Sequence, residues 1–283
     1  MEDGARSSAP ASRAPPLASL VPAKLGQHFL ADASAARRIV EAADLASGDT
    51  VVEIGPGRGA LTTELLSRGC RVVAIEMDRA LASLLRDQFA GVDRIEIHEA
   101  DFLRFDIEPY KDASPKFIGN LPYAAASPIL QKILSWPSWR LAVFMFQKEV
   151  ADRLTARPGG ADYGVLTLSR WIRADAEALL TLGPESFRPR PRIRSTVLRF
   201  RRLDTPRLAP QDEKLFFRAA KAAFQERRKM AAGAMARLLD LPRSRVEAAF
   251  LKLGLDPRCR AQEIPPEAYL RLPSELGLSR RET

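Results

Sequence analysis

The sequence predicts an α/β fold, a sheet of alternating strands and helices followed by a small helical domain. Three observations carry that prediction. A strand-like run, T-V-V-E-I at 50–54, breaks into G-P-G-R-G at 55–59 and then into a helical apolar face on Ala60, Leu61, Leu65 and Leu66. A second run, R-V-V-A-I-E at 71–76, ends in an acid about 20 residues past the turn, where a βαβ unit sets a carboxylate on ribose hydroxyls. Beyond residue 206 the strand signals stop and helical ones take over.

Glycines at 55, 57 and 59 let a backbone approach a ligand closely, because no Cβ intrudes. The dinucleotide fingerprint sets its third glycine one position later. That difference argues against a pyrophosphate cofactor, and so against an NAD-dependent oxidoreductase. It suits a smaller ligand that carries adenosine, with Glu53 and Glu76 supplying acidity near a cationic group. S-adenosylmethionine has an adenosine, a ribose and a positive sulfonium. The plainer alternative is a turn whose glycines serve packing alone.

Composition bounds the rest. The 283 residues suffice for a full α/β domain and a smaller second one, with 46% apolar residues for the core. No run approaches the ~20 apolar residues of a membrane span, so no membrane partner is expected. Cys70 and Cys259 offer neither a disulfide framework nor metal spacing, which points to a reducing compartment. His28 and His98 are too isolated for a metal site. The net charge of +9 is concentrated: residues 188–229 hold fourteen Lys/Arg against four Asp/Glu. A basic segment on a neutral core predicts a polyanionic partner, nucleic acid.

In chain order, residues 1–22 are rich in Ala, Ser and Pro and predict a disordered tail. It has no continuous apolar core and opens with acids, unlike a secretory signal. K-L-G-Q-H-F-L at 24–30 precedes a helix with Asp32 as N-cap; Gln27 and His28 could reach a ligand or simply pack. After a helix through Leu81, Leu84 and Leu85, a strand over 94–98 leaves Asp101 just past its end. There it could accept from an adenine amine or be a plain turn acid. A strand at 116–119 ends in N-L-P-Y, 120–123. Pro122 restrains the chain, Asn120 and the Leu121 carbonyl offer acceptors, and Tyr123 offers a stacking face. Together they describe a pocket for an exocyclic amine.

A helix through Ile129 and Leu130 follows, then an apolar strand at 141–146 buried on both faces. Helix is expected to about residue 157 and again over 163–174, with strand over 176–182. P-E-S-F-R-P-R-P-R-I-R at 184–194 alternates prolines with arginines and cannot be a central strand. It predicts an extended loop that displays Arg188, Arg190, Arg192, Arg194 and Phe187. That aromatic either stacks on a base or anchors the loop. A final strand spans 195–200. Helices are expected from 211 through an apolar face on Phe216, Ala220 and Phe224 into Arg227-Arg228-Lys229, and at 244–253 and 266–272.

With these motifs in place, the sequence resembles the ribosomal RNA adenine N6-dimethyltransferase family, most of all its small-subunit branch. The matching motifs are G-Q-H-F-L at 26–30, E-I-G-P-G-R-G-A-L-T at 53–62, I-E-M-D at 75–78 and A-D-F-L at 100–103. N-L-P-Y at 120–123, S-F-x-P-x-P-x-I-x-S at 186–195 and A-A-F-Q-E-R-R-K at 222–229 complete the set. The resemblance implies a Rossmann-like class I methyltransferase domain at 23–206, with a doubly wound, mostly parallel seven-stranded sheet, and a C-terminal helical RNA-binding domain at 207–283. It implies S-adenosylmethionine as cofactor, held by His28, Leu30, Gly55, Gly57, Glu76, Asp101 and Asn120.

The resemblance further makes Asn120, Leu121, Pro122 and Tyr123 the catalytic motif and Phe187 a second stacking aromatic. Arg188, Arg190, Arg192, Arg194, Arg227, Arg228 and Lys229 are the expected RNA contacts. The product would be two adjacent N6,N6-dimethyladenosines near the 3′ end of 16S rRNA in the immature small subunit, made by a cytoplasmic monomer. Two rivals remain: a 23S rRNA methyltransferase of the macrolide-resistance type, and a non-catalytic RNA-binding assembly factor. The sequence differs from the family at three places. His28 stands where Asn is frequent, Ala124-Ala125-Ala126-Ser127 replaces a polar run, and Gly233 replaces an Asn.

Overall fold

A computed structural model describes residues 27–279. The expected tail at 1–22 lies outside the described residues. The sheet region is built from strands β1 (Phe29–Leu30), β2 (Thr50–Ile54), β3 (Arg71–Glu76), β4 (Ile95–Glu99), β5 (Lys116–Asn120), β6 (Leu141–Gln147), β7 (Ala174–Leu182), β8 (Phe187–Arg188) and β9 (Ser195–Arg202). Its helices are α1 (Ala33–Glu41), α2 (Ala60–Ser67), α3 (Arg79–Gln88), α4 (Ala126–Ser135), α5 (Lys148–Thr155) and α6 (Val165–Trp171). Four more helices follow: α7 (Glu213–Phe224), α8 (Ala231–Leu238), α9 (Arg243–Lys252) and α10 (Pro266–Glu275).

Seven strands form one sheet in the order β4-β3-β2-β5-β6-β9-β7. β4, β3, β2, β5 and β6 run parallel, and β9 pairs antiparallel with both β6 and β7. The central strands are buried on both faces, which is why they read as unbroken Val, Ile and Phe runs. From β2 the chain winds outward through β3 and β4, then returns to β5 on the other side of β2. Such a reversal opens a crevice beyond the carboxyl ends of the two strands. Gly119 permits the close approach there: a Cβ on it would run into the Ile54 carbonyl oxygen of β2.

The parallel αβ alternation follows the sequence prediction closely, and Asp32 caps α1 by accepting from the Ala35 N–H at 3.0 Å. Two local differences have physical causes. The helix expected over 163–174 is shorter: the Gly164 N–H donates to Thr167 Oγ1 at 3.1 Å and starts it, and Ala174 already pairs with Arg202 in the sheet. Tyr163 lies outside that helix and meets Phe224 edge-on, ring centres 5.9 Å apart. The run after Phe224 is not one continuous helix. The chain turns at 225–230 and restarts as α8, because Met230 bridges back to Arg260.

The helical region has its own apolar core, around Phe216, Met235, Phe250, Tyr269 and Leu272. Tyr163, Leu168 and Ile172, from and beside α6, pack into the same cluster. Burying each large side chain stabilises by about 1.5–3 kcal/mol, so α6 ties the helices to the sheet domain through shared apolar area.

Candidate active site

Two neighbouring cavities, of about 100 and about 30 Å³, lie at the switch point and share Phe29, Gly55, Gly57 and Asn120 in their walls. The glycine turn comes first. Gly57 has φ 59°, and a Cβ there would stand 2.9 Å from the Phe29 ring. Phe29 is thus laid across the turn, and only glycine fits beneath it. The Arg58 guanidinium sits over the same ring, 4.5 Å from its centre.

Two acids face this turn. Glu76 ends β3, buried, and accepts from the Gly57 N–H at 3.0 Å and the Asp78 N–H at 2.9 Å. Burial raises its pKa, and those backbone donors oppose the rise. Each oxygen keeps further acceptor capacity toward the larger cavity, whose wall it forms. Glu53, 1% exposed, lines the smaller cavity. Thr62 Oγ1 donates to its Oε2 at 2.6 Å, while Oε1 has no partner. Burial first, and the Glu76 charge in addition, push the Glu53 carboxyl up to about 8. An unpartnered buried carboxyl is costly to ionise alone and is relieved by a cation.

The N-L-P-Y turn closes the larger cavity. Asn120 ends β5, and its Nδ2 donates to the His28 carbonyl at 2.9 Å. A carbonyl accepts only, so this bond assigns the amide orientation and leaves Oδ1 as an acceptor on the other side. The Leu121 side chain is buried in the core and anchors the turn, with its carbonyl beside Asn120. The Pro122 carbonyl accepts from the Ala125 N–H at 2.9 Å, which leads directly into α4. The half-buried Tyr123 ring lies 5.9 Å from the His28 ring at 35°, and its hydroxyl is 3.3 Å from Ser195 Oγ.

Of the residues expected to hold the cofactor, His28, Gly55, Gly57, Glu76 and Asn120 line the larger cavity and Leu30 the smaller one. Asp101 lines neither. Its carboxylate accepts from the Leu103 N–H at 2.9 Å in a turn beyond β4. Phe187 is a correction. It is not displayed by the arginine loop but is 1% exposed in the core with Leu30 and Val197. β8 pairs with β1, and that pairing turns the ring inward. It is the loop's anchor.

The expected RNA contacts divide. Arg190, Arg192, Arg194 and Arg228 are exposed. Arg188 is exposed too, but its Nη1 donates to the carbonyls of Glu185 and Phe187. Arg227 is a correction: its guanidinium donates to the carbonyls of Tyr163 at 2.7 Å and Ala161 at 2.6 Å, over the Phe224 ring. It ties the turn after α7 to the segment before α6. Lys229 stands 3.6 Å from Glu226 in a surface pair worth little. Sequence reasoning missed Phe29, Leu81 and Ser195 at the site. Phe29 had a signal, its place in G-Q-H-F-L three residues before the Asp32 cap; Ser195 ends the motif at 186–195, but its pairing with Tyr123, 72 residues away, has no local mark.

Five parallel strands with an antiparallel pair added at one edge, and a glycine turn and strand-end acid at the switch point, define a Rossmann-like methyltransferase. Solved structures agree. The crystal structure of the 23S rRNA methyltransferase ErmE is 31% identical, with TM-score 0.70, covering 88% of this chain and 99% of that one. A dimethyladenosine transferase from Plasmodium falciparum shares the fold at TM-score 0.75 and 24% identity, covering 87% of this chain and 96% of that one.

The family model of ribosomal RNA adenine dimethylase matches residues 20–277, and the chain belongs to that family. The ribosomal RNA small subunit methyltransferase A of Koribacter versatilis is 39% identical over 90% of this chain and 94% of its own length. That of Geobacillus thermodenitrificans is 38% identical over 89% of each.

Proposed function

We propose that this chain dimethylates N6 of two adjacent adenosines near the 3′ end of 16S rRNA in the immature small subunit, with S-adenosylmethionine as donor. The observation that carries the reading is the Asn120 amide. Its N–H is committed to His28, so Oδ1 and the neighbouring Leu121 carbonyl form a pair of acceptors suited to an exocyclic amine.

The residues present fit the cofactor. Glu76 offers acceptors for ribose hydroxyls, Gly55 and Gly57 permit close approach, and the unpartnered Glu53 oxygen suits a cationic group. When bound, S-adenosylmethionine supplies an electrophilic methyl group on its sulfonium. The chain does the rest by placement. An adenine amine is a poor nucleophile because its lone pair is delocalised into the ring. Hydrogen bonds from that amine to Asn120 Oδ1 and the Leu121 carbonyl favour a more tetrahedral nitrogen, and they strengthen as positive charge develops there. No strong base is needed, since the amine becomes acidic as it is alkylated. Tyr123 offers its face to the adenine, which must leave its stack to reach the cavity. Holding the reacting atoms in line supplies much of the rate.

The exposed arginines at 190, 192 and 194 support a phosphate-contacting role, and a monomer in the cytoplasm suits an assembling subunit. Incubation with labelled S-adenosylmethionine and isolated small or large subunits, followed by mapping of the modified nucleotide, tests the reading. Label in adjacent small-subunit adenosines is the expected result. Label in 23S rRNA would favour the macrolide-resistance activity, and no label in either RNA would favour a non-catalytic assembly factor.

A further inference from the structure

We propose that His28 is a positioning residue that links docking of the arginine loop on RNA to the orientation of the Asn120 amide. The proposal rests on the reading above, in which Asn120 receives the adenine amine and residues 188–194 meet RNA.

Two hydrogen bonds meet on this one residue. Its backbone carbonyl accepts from Asn120 Nδ2 at 2.9 Å. Its ring Nδ1 lies 2.9 Å from the Pro189 carbonyl oxygen. That oxygen accepts only, so Nδ1 carries the proton of the bond. Pro189 stands between Arg188 and Arg190, both exposed. A phosphate drawn to those arginines therefore acts on the peptide segment that the imidazole holds. The strand pairs Phe29–Arg188 and Leu30–Phe187 fix the main chain just beyond, and the Ala31 N–H donates to the Ser186 carbonyl at 2.8 Å. Residue 28 precedes that short pairing, so the ring bond adds the next point of attachment.

The consequence at Asn120 is specific. If the 28 carbonyl drifts, the amide loses the bond that assigns its orientation and can turn over. A turned amide presents N–H groups to an amine, a donor facing a donor, and the transition-state interaction is lost. The His28 ring, 5.9 Å from that of Tyr123, would shift the wall beside the stacking face in the same movement.

Single-turnover methyl transfer at saturating cofactor and small subunit tests this. His28→Phe keeps a ring and removes the donor; it should slow transfer about 10-fold, the cost of one oriented hydrogen bond. RNA affinity should stay within about 3-fold, since phosphates supply most of it. His28→Asn restores an N–H donor and should recover most of the rate. Replacing Arg188 and Arg190 by Gln should slow saturated transfer in the wild type but only weaken RNA binding in the His28→Phe background, a non-additive pattern. His28→Leu serves where His28→Phe fails to fold, with thermal unfolding as the check. A wild-type rate in the donor-less variants, no recovery by Asn, or additive rate effects would overturn the link while leaving the methyltransferase reading intact. A wild type inactive on every ribosomal RNA would overturn both.

Discussion

The two halves of the site are built differently. On the cofactor side, nearly every polar group is tied to its own βαβ unit: Glu76 to Gly57 and Asp78, Glu53 to Thr62. On the side proposed to meet RNA, the groups are exposed arginines on an irregular loop, fixed at its base by Phe187 and by His28. The comparison teaches that the first half is preorganised by local sequence, whereas the second is positioned by pairing across some 160 residues. Perturbing the junction between the halves should therefore cost most, and perturbing the exposed side least.

Asn120 is that junction. Asn120→Ala should lower single-turnover transfer about 10²-fold or more at saturation, the usual cost of losing one oriented polar group. RNA affinity should change far less. Near wild-type transfer under saturation would reduce N-L-P-Y to a structural turn.

Next comes the cofactor side. Glu76→Ala should raise the cofactor dissociation constant about 10- to 100-fold, as loss of charge-assisted hydrogen bonds does. Unchanged affinity by calorimetry in a folded variant would remove Glu76 from the site.

Glu53 predicts a pH dependence. Its carboxyl, pushed up to about 8 from 4.5, stays protonated in the folded, ligand-free protein at neutral pH. The folded state thus binds a proton that the unfolded chain has released, so this group's contribution to stability falls as pH rises from about 4.5 to about 8. A cation beside it favours ionisation, so cofactor binding should release a proton and tighten with pH, levelling above about 8. Glu53→Gln should remove both slopes. Calorimetry in buffers of different ionisation heat, with unfolding followed at several pH values, would detect them; identical slopes in the variant would place the titration elsewhere.

The smallest effects belong to the arginine loop. Neutralising Arg190, Arg192 or Arg194 singly should reduce the salt slope of RNA binding by about 0.7 to 0.9 each. Arg227→Gln should leave that slope nearly unchanged and instead lower thermal stability, because its guanidinium is bound to the Ala161 and Tyr163 carbonyls. The reverse pattern would restore Arg227 as a phosphate contact.

What could be read in the sequence follows the same division. The glycine turn, the acid ending β3 and the proline-rigidified turn after β5 are local, so spacing and residue type revealed them. The sheet was legible because its buried strands carry β-branched and aromatic runs. Phe187 was misplaced because its surroundings in sequence are basic and proline-rich, while its burial comes from the β1–β8 pairing. Arg227 looked like a phosphate contact because it lies in a basic triplet; the two carbonyls that claim it are 64 and 66 residues away. The role of Phe29 was hidden because what it covers is a missing side chain, the open face of Gly57.

Titrating the full chain with S-adenosylmethionine in the absence of RNA, at low and at high salt, tests most directly whether the cofactor half is complete in itself. The structure predicts saturable binding without RNA and a dissociation constant that barely moves with salt, since Glu53 and Glu76 are buried. Binding that requires RNA, or that weakens with salt as steeply as a set of phosphate contacts, would contradict it.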